Sequence, residues 1–163
     1  MAWSPVPDKG SGDQFTEEMW DDYIKGNADE LNPFFTAWTS WTPAVFQNGA
    51  RTSTNTQSRY LKIGRLVHAY AIVTITQAGS AGNIISCTLP FASAFGSDTP
   101  IGSFIYFGAA RYVGSALSNS SFGASPGVIF HVHNATNAVG ADPNFATANG
   151  HTLRFSVTYE ASS

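Results

Sequence analysis

The stretch Arg59–Thr76, RYLKIGRLVHAYAIVTIT, decides how the chain is read. It is the longest apolar-rich run and is dense in β-branched and aromatic residues, the types that suit a pleated surface. Gly64 divides it. Tyr60, Leu61 and Ile63 form a short strand before the glycine. Leu66 to Thr76 forms a strand of roughly 35 Å after it, at about 3.3 Å per residue. Val67, Ala69, Ala71, Val73 and Ile75 share one face, and Leu66, His68, Tyr70, Ile72, Thr74 and Thr76 the other. Neither face is strongly polar, so a central strand packed on both sides is expected. Lys62, Gly64 and Arg65 fit a tight, solvated corner.

Working outward, short strands alternate with turn residues: Trp41–Phe46, Arg59–Ile63, Leu66–Thr76, Ile84–Leu89, Ser103–Val113, Val128–Val132 and Thr152–Glu160. Turn-rich segments separate them at Asn48-Gly49, Ser53–Ser58, Ala78–Asn83, Gly96–Pro100, Gly114–Gly127 and Ala138–Gly150. The last strand alternates cleanly, with Leu153, Phe155, Val157 and Tyr159 on the core side. Asn149-Gly150 before it is a hairpin signal. This pattern predicts a mainly β chain, a jelly-roll-like antiparallel β-sandwich over residues 41–163.

Residues 1–40 differ. They hold eight acids against two lysines, a net −6, while residues 41–163 hold three acids against six bases, a net +3. Residues 1–14 read as an extended arm broken by Pro5, Pro7, Gly10 and Gly12, with Trp3 a large indole that needs somewhere to dock. Phe15 to Leu31 reads as one short amphipathic α-helix. Thr16 is its N-cap, Glu17 and Glu18 suit the dipole of the first turn, and Phe15 and Trp20 form a hydrophobic staple. Trp20, Tyr23, Ile24, Ala28 and Leu31 make its apolar stripe, and Pro33 ends it. Trp3, Phe15, Trp20, Tyr23, Ile24 and Leu31 are therefore the candidate anchor or assembly residues. Phe34 to Trp41 is an aromatic junction, read as a strand leading into the sheet.

Charged residues are only 12% of the chain, about half the usual share. Ser, Thr, Asn, Gly and Ala must then cover the surface. The bases are too sparse for a nucleic-acid footprint. No apolar run approaches the ~20 residues of a membrane helix, and the N-terminus lacks the pattern of a signal peptide. The single cysteine, Cys87, excludes a disulfide framework and reads as a buried small apolar residue.

Enzyme signals are poor. Asp98, Asp142 and Glu160 are widely spaced, and no nucleophile elbow or phosphate-binding glycine loop occurs. A glycan hydrolase built on those acids is the weakest alternative. His131-x-His133 has the spacing of two strand residues on one face. Two imidazoles alone make an incomplete metal site, although three copies around a threefold axis would supply six. Ordinary polar side chains are the simpler reading, and no cofactor is expected. The loops Gly114–Gly127 and Asn134–Gly150 hold Phe122, Asn134, Asn137, Asp142 and Asn144 and suit a recognition surface. Tyr106, Tyr112 and Phe122 are the candidate aromatic platform for a ligand.

Two stretches carry a family resemblance. MAWSPVP…GDQFTEEMWDDYIKGNADEL resembles the short anchors of small phage tail and fibre proteins. WTSWTPAVFQNG…SRYLKIGRLVHAYAIVTIT…GNIISCTLP is similar to phage receptor-binding β-sandwiches, in which a Y-x-x-I-G-R/K-x-V corner precedes a long central strand and a T-L-P strand end follows. Together they cover about the first 90 residues and resemble bacteriophage virion proteins, especially those of actinobacterial phages; the remainder matches only in character. The resemblance specifies no single role in the virion and brings no catalytic residues. It implies a non-enzymatic structural protein in the virion, anchored through residues 1–40 to other tail or capsid proteins. It implies a homotrimer whose sandwich faces outward, as a tail fibre or minor tail protein attaching to a host surface glycan. A capsid decoration protein or head fibre is the alternative, and a free carbohydrate-binding module a further one.

Overall fold

The computed structural model describes residues 38–119 and 127–162. The arm, the helix from Phe15 to Leu31 and Trp3, Phe15, Trp20, Tyr23, Ile24 and Leu31 lie outside the described residues, as does Phe122. From Trp38 the chain forms one compact unit.

Ten strands make it: β1 (Thr39–Ser40), β2 (Val45–Phe46), β3 (Ala50–Arg51), β4 (Ser53–Ile63), β5 (Leu66–Ile75), β6 (Ser86–Thr88), β7 (Thr99–Phe107), β8 (Arg111–Asn119), β9 (Gly127–Val132) and β10 (Thr152–Glu160). They form one antiparallel sheet in the order β1-β4-β5-β10-β7-β8-β9-β6-β2-β3. The sheet curls, because twist accumulates from strand to strand. The curl brings Phe130 of β9 to 5.5 Å from Phe155 of β10, although β7 and β8 lie between those strands in the sheet.

Strand β5 and its corner follow the sequence closely. Gly64 turns with φ of +58°, and Ile63 then pairs with Leu66. Val67, Ala69, Ala71, Val73 and Ile75 are all 0–1% exposed and face the core. The opposite face is only half-covered, and Leu66 is 53% exposed. Burial on both faces was expected and is not found: β5 lines the inside of the curl, and its outer side chains meet mainly their neighbours on the same surface. Trp38 rests there, edge-on to His68 and to Tyr70 at 5.5 Å each. Arg154 lies over the Phe107 ring at 5.0 Å on that side.

Strand β10 alternates as its sequence requires. Leu153, Phe155, Val157 and Tyr159 are buried, and the strand is paired along both edges, by β5 and β7. The Asn149-Gly150 signal does not close a hairpin. Gly150 has φ of +86°, and its N–H donates to Ile75 O at 2.9 Å as the chain enters β10.

Four segments differ from expectation. Ser53–Ser58 is the first half of β4 and not a turn. Its neighbour β1 is only two residues long, so a polar strand loses nothing by facing water, and pairing with β5 satisfies its backbone. The run Ser103–Val113 is two strands, since Gly108–Ala110 reverses the chain between β7 and β8. Small residues at that reversal gave no Asn or Pro signal. Gly114–Asn119, expected in a loop, completes β8 between β7 and β9. Its small side chains suit the crowded inside of the curl, and Ala116 and Ser118 are 0% exposed. The strand expected over Trp41–Phe46 shrinks to Val45–Phe46.

Candidate functional site

At the end of the sheet where β5 finishes and β10 begins, three segments converge: the β2–β3 turn, the loop from Thr76 to Ile85, and the loop from His133 to His151. Asn48 and Gly49 make the turn, with φ of +56° and +104°. Asparagine and glycine adopt that left-handed backbone more readily than other residues. Arg51 braces it. Its guanidinium donates to Asn48 O at 2.6 Å, Gly49 O at 3.1 Å and Ala78 O at 3.0 Å.

Gln47 ties the three segments together. Its side chain is 0% exposed. Nε2 donates to Asn83 O at 3.0 Å and Phe145 O at 2.8 Å, and Oε1 accepts from Thr147 N at 2.8 Å. Two carbonyls on one side and an N–H on the other fix which end of the amide is which. Gly79 must lack a side chain here, because a Cβ would fall 1.9 Å from Gln47 Oε1. Backbone bonds continue the joint: Gly79 N donates to Thr147 O, Gly82 N to Gly140 O and Ile85 N to Val139 O.

Between these segments lies a half-open groove of about 650 Å³. Phe46, Ile84 and Ala141 supply its apolar lining, and Asn48, Asn83, Asn137 and Ser86 its polar groups. That volume lies within the 300–1,000 Å³ range of ordinary ligand pockets. Among the described residues no ionised side chain lines it. Asp142 is held beside Ala141 by Thr136, whose hydroxyl and backbone N–H both donate to Oδ2, at 2.8 and 2.6 Å. The hydroxyl foremost, with that N–H, lowers the Asp142 pKa below its ordinary value.

The residues singled out from sequence are placed elsewhere. Tyr106 is 1% exposed and is a core residue, not part of a platform. Its hydroxyl meets His151 Nδ1 at 2.6 Å, and burial raises its pKa. Tyr112 is half-buried and stacks on Phe145, centroids 5.0 Å apart and planes 7° apart. His131 pairs with Ser115 in β9, but the strand ends at Val132 and His133 falls in the following turn. The shared strand face that the His-x-His spacing requires is therefore absent. Among the described residues no group of three or more His, Cys, Asp or Glu side chains could hold a metal. Cys87 is buried, and desolvation raises its thiol pKa far from the thiolate range.

Sequence reasoning placed Asn137 on a recognition loop but missed Gln47, Asn48 and Asn83 as partners. The available signal was the position of Asn48 and Asn83 in turns. Their convergence is tertiary: Gln47 bonds residues 36 and 98 positions away. No protein-family model matches the chain, and no curated protein or solved structure matches it.

Proposed function

We propose that this chain is a non-enzymatic bacteriophage structural protein. Residues 1–40 attach it to the virion, and the β body, a jelly-roll-like sandwich in this reading, is displayed outward as part of a trimeric tail fibre or minor tail protein. One observation carries the proposal beyond the sequence resemblance. The chain enters the body beside the corner half of β4 and β5, and the groove lies past the other end of those strands. Thr39 pairs with Tyr60, which pairs with Ala69, and Ser40 follows towards the groove, opposite Arg59 and Tyr70. From the level of Ala69 to Ile75 is about 20 Å along the strand. Beyond Ile75 begins the loop that forms one groove wall. Tethering through the chain before Thr39 leaves the groove about 20 Å further along the strand, and this separation favours the groove as the surface that meets a host.

The test is incorporation into phage particles. Trp20→Ala is expected to remove the protein from purified virions while its β-sheet circular dichroism and melting transition stay those of the parent. Virions that keep a normal complement of the variant would overturn the anchor. Sedimentation of the full-length protein is expected to give a trimer. Immunogold labelling is expected on the tail; labelling of the head would replace the fibre role with capsid decoration. The groove alone also favours a second reading, a free carbohydrate-binding module, which predicts a monomer never found on particles.

A further inference from the structure

We propose that the groove between Asn48, Asn83 and Asn137 binds a neutral saccharide. The proposal rests on the groove being the outward, recognising end of the body. Its chemistry is the first argument. Asn83 uses Nδ2 on the carbonyls of Ser80 and Ala81, each at 3.3 Å, which leaves Oδ1 as an acceptor. Asn137 uses Oδ1 on Ala138 N at 2.8 Å, which leaves the two Nδ2 hydrogens as donors. Asn48 is exposed and makes no side-chain hydrogen bond among the described residues, so both ends of its amide are available. Donors and acceptors are thus mixed on one surface. Sugar hydroxyls, which donate and accept at once, match such a surface.

Charge is the second argument. A phosphate or carboxylate ligand needs a cation or a convergent set of N–H groups, and a metal or amine needs carboxylates. Neither Arg51 nor Asp142, the ionised residues closest to the lining in sequence, is among the described residues that line the groove. Arg51 is turned onto three backbone carbonyls, and the Asp142 carboxylate is held by Thr136. An uncharged lining favours a ligand without charge. The apolar lining is the third argument. Phe46 and Ile84 give the C–H faces of a sugar ring a surface to leave water against.

Rigidity is the fourth. Weak polar contacts yield affinity only if the protein does not have to order itself to make them. Gln47 provides that order, because Phe46 and Asn48 flank it in the chain and its amide fixes the other two walls.

The experiment is a titration of 15N-labelled full-length protein with chitotriose, cellotriose, maltotriose and mannotriose, with inorganic phosphate as the charged comparison. At least one neutral trisaccharide is expected to move the amide signals of residues 46–49, 82–86 and 137–141 saturably. Phosphate is expected to leave them in place. Asn48→Gly keeps the left-handed turn and removes only the amide, so it is expected to weaken binding by about fivefold to thirtyfold, the worth of one or two hydrogen bonds. Ala141→Trp fills the groove and is expected to abolish the shifts while the rest of the spectrum is retained.

Three results would overturn the proposal. One is silence towards all four sugars at about 10 mM, well above the dissociation constant of a weak millimolar contact. Another is phosphate binding at the same signals. The last is sugar shifts that survive Ala141→Trp. Failure here with Trp20→Ala still lost from virions would refute the ligand and leave the structural role standing. Sugar binding by a protein never found on virions would do the reverse.

Discussion

The Tyr106 hydroxyl and His151 Nδ1 lie 2.6 Å apart, and Ala148 N donates to the same ring nitrogen at 3.1 Å. With the backbone N–H as a fixed donor, Nδ1 must accept, so the neutral ring carries its proton on Nε2. This joins the core end of β7 to the loop that closes the groove.

Acid is expected to loosen that loop. Burial lowers the folded-state pKa of His151 below its ordinary 6.5. The unfolded chain therefore binds the proton more readily, and stability falls as pH drops through 6.5 towards the folded value. A protonated Nδ1 can no longer accept from Ala148. Melting temperature should fall between about pH 7.5 and 5.5, and fall less in His151→Gln, which cannot take up that proton. An equal acid response in both proteins would show that His151 does not carry it.

Removing the Gln47 amide should be costly. Gln47→Ala strands the N–H of Thr147 and the carbonyls of Asn83 and Phe145 and leaves a void; about 3 kcal/mol of destabilisation is expected by urea unfolding. Gln47→Glu keeps an acceptor for Thr147 N but turns a carboxylate towards two carbonyls without partner charge. It should be worse than alanine at neutral pH and recover partly in acid, where a protonated carboxyl can donate.

Thr147→Val should stabilise the protein. Thr147 is 1% exposed, and its Oγ1 has no hydrogen-bond partner among the described residues. A methyl group of similar shape removes the desolvation cost and raises stability by about 1 kcal/mol. An unchanged or lower unfolding midpoint would mean that the hydroxyl is bonded in solution.

Tyr159 closes the opposite end of the core. Its hydroxyl accepts from Phe91 N at 3.2 Å and donates to Phe91 O at 3.0 Å. Tyr159→Phe keeps the ring and loses both bonds, so about 1–2 kcal/mol should be lost. The accompanying gain in hydrogen exchange should centre on Phe91. Exchange that instead rises evenly over the sheet would show that the bond stabilises the whole body and no local segment.

Some of this architecture is present in the order of the residues alone. The alternation in Leu66–Ile75 and Thr152–Glu160 determines which side chains face inward, because neighbouring residues of a strand point to opposite faces. Gly64 determines the corner, and Asn48-Gly49 a left-handed turn, because those are local backbone preferences. A single half-buried sheet face needs no more than this. Where pairing partners satisfy the backbone, composition misleads: the polar first half of β4 resembles a turn, and the small-residue second half of β8 resembles a loop, since their strand character comes from neighbours distant in sequence. The groove is of the same kind. Asn48, Asn83 and Asn137 are ordinary turn asparagines one at a time. Only the curl of the sheet, and the Gln47 amide reaching from one segment into two others, puts their unpaired polar atoms around one space. Tyr106 shows the converse: an exposed platform was expected of it, but its place on the inner face of β7 made it part of the core.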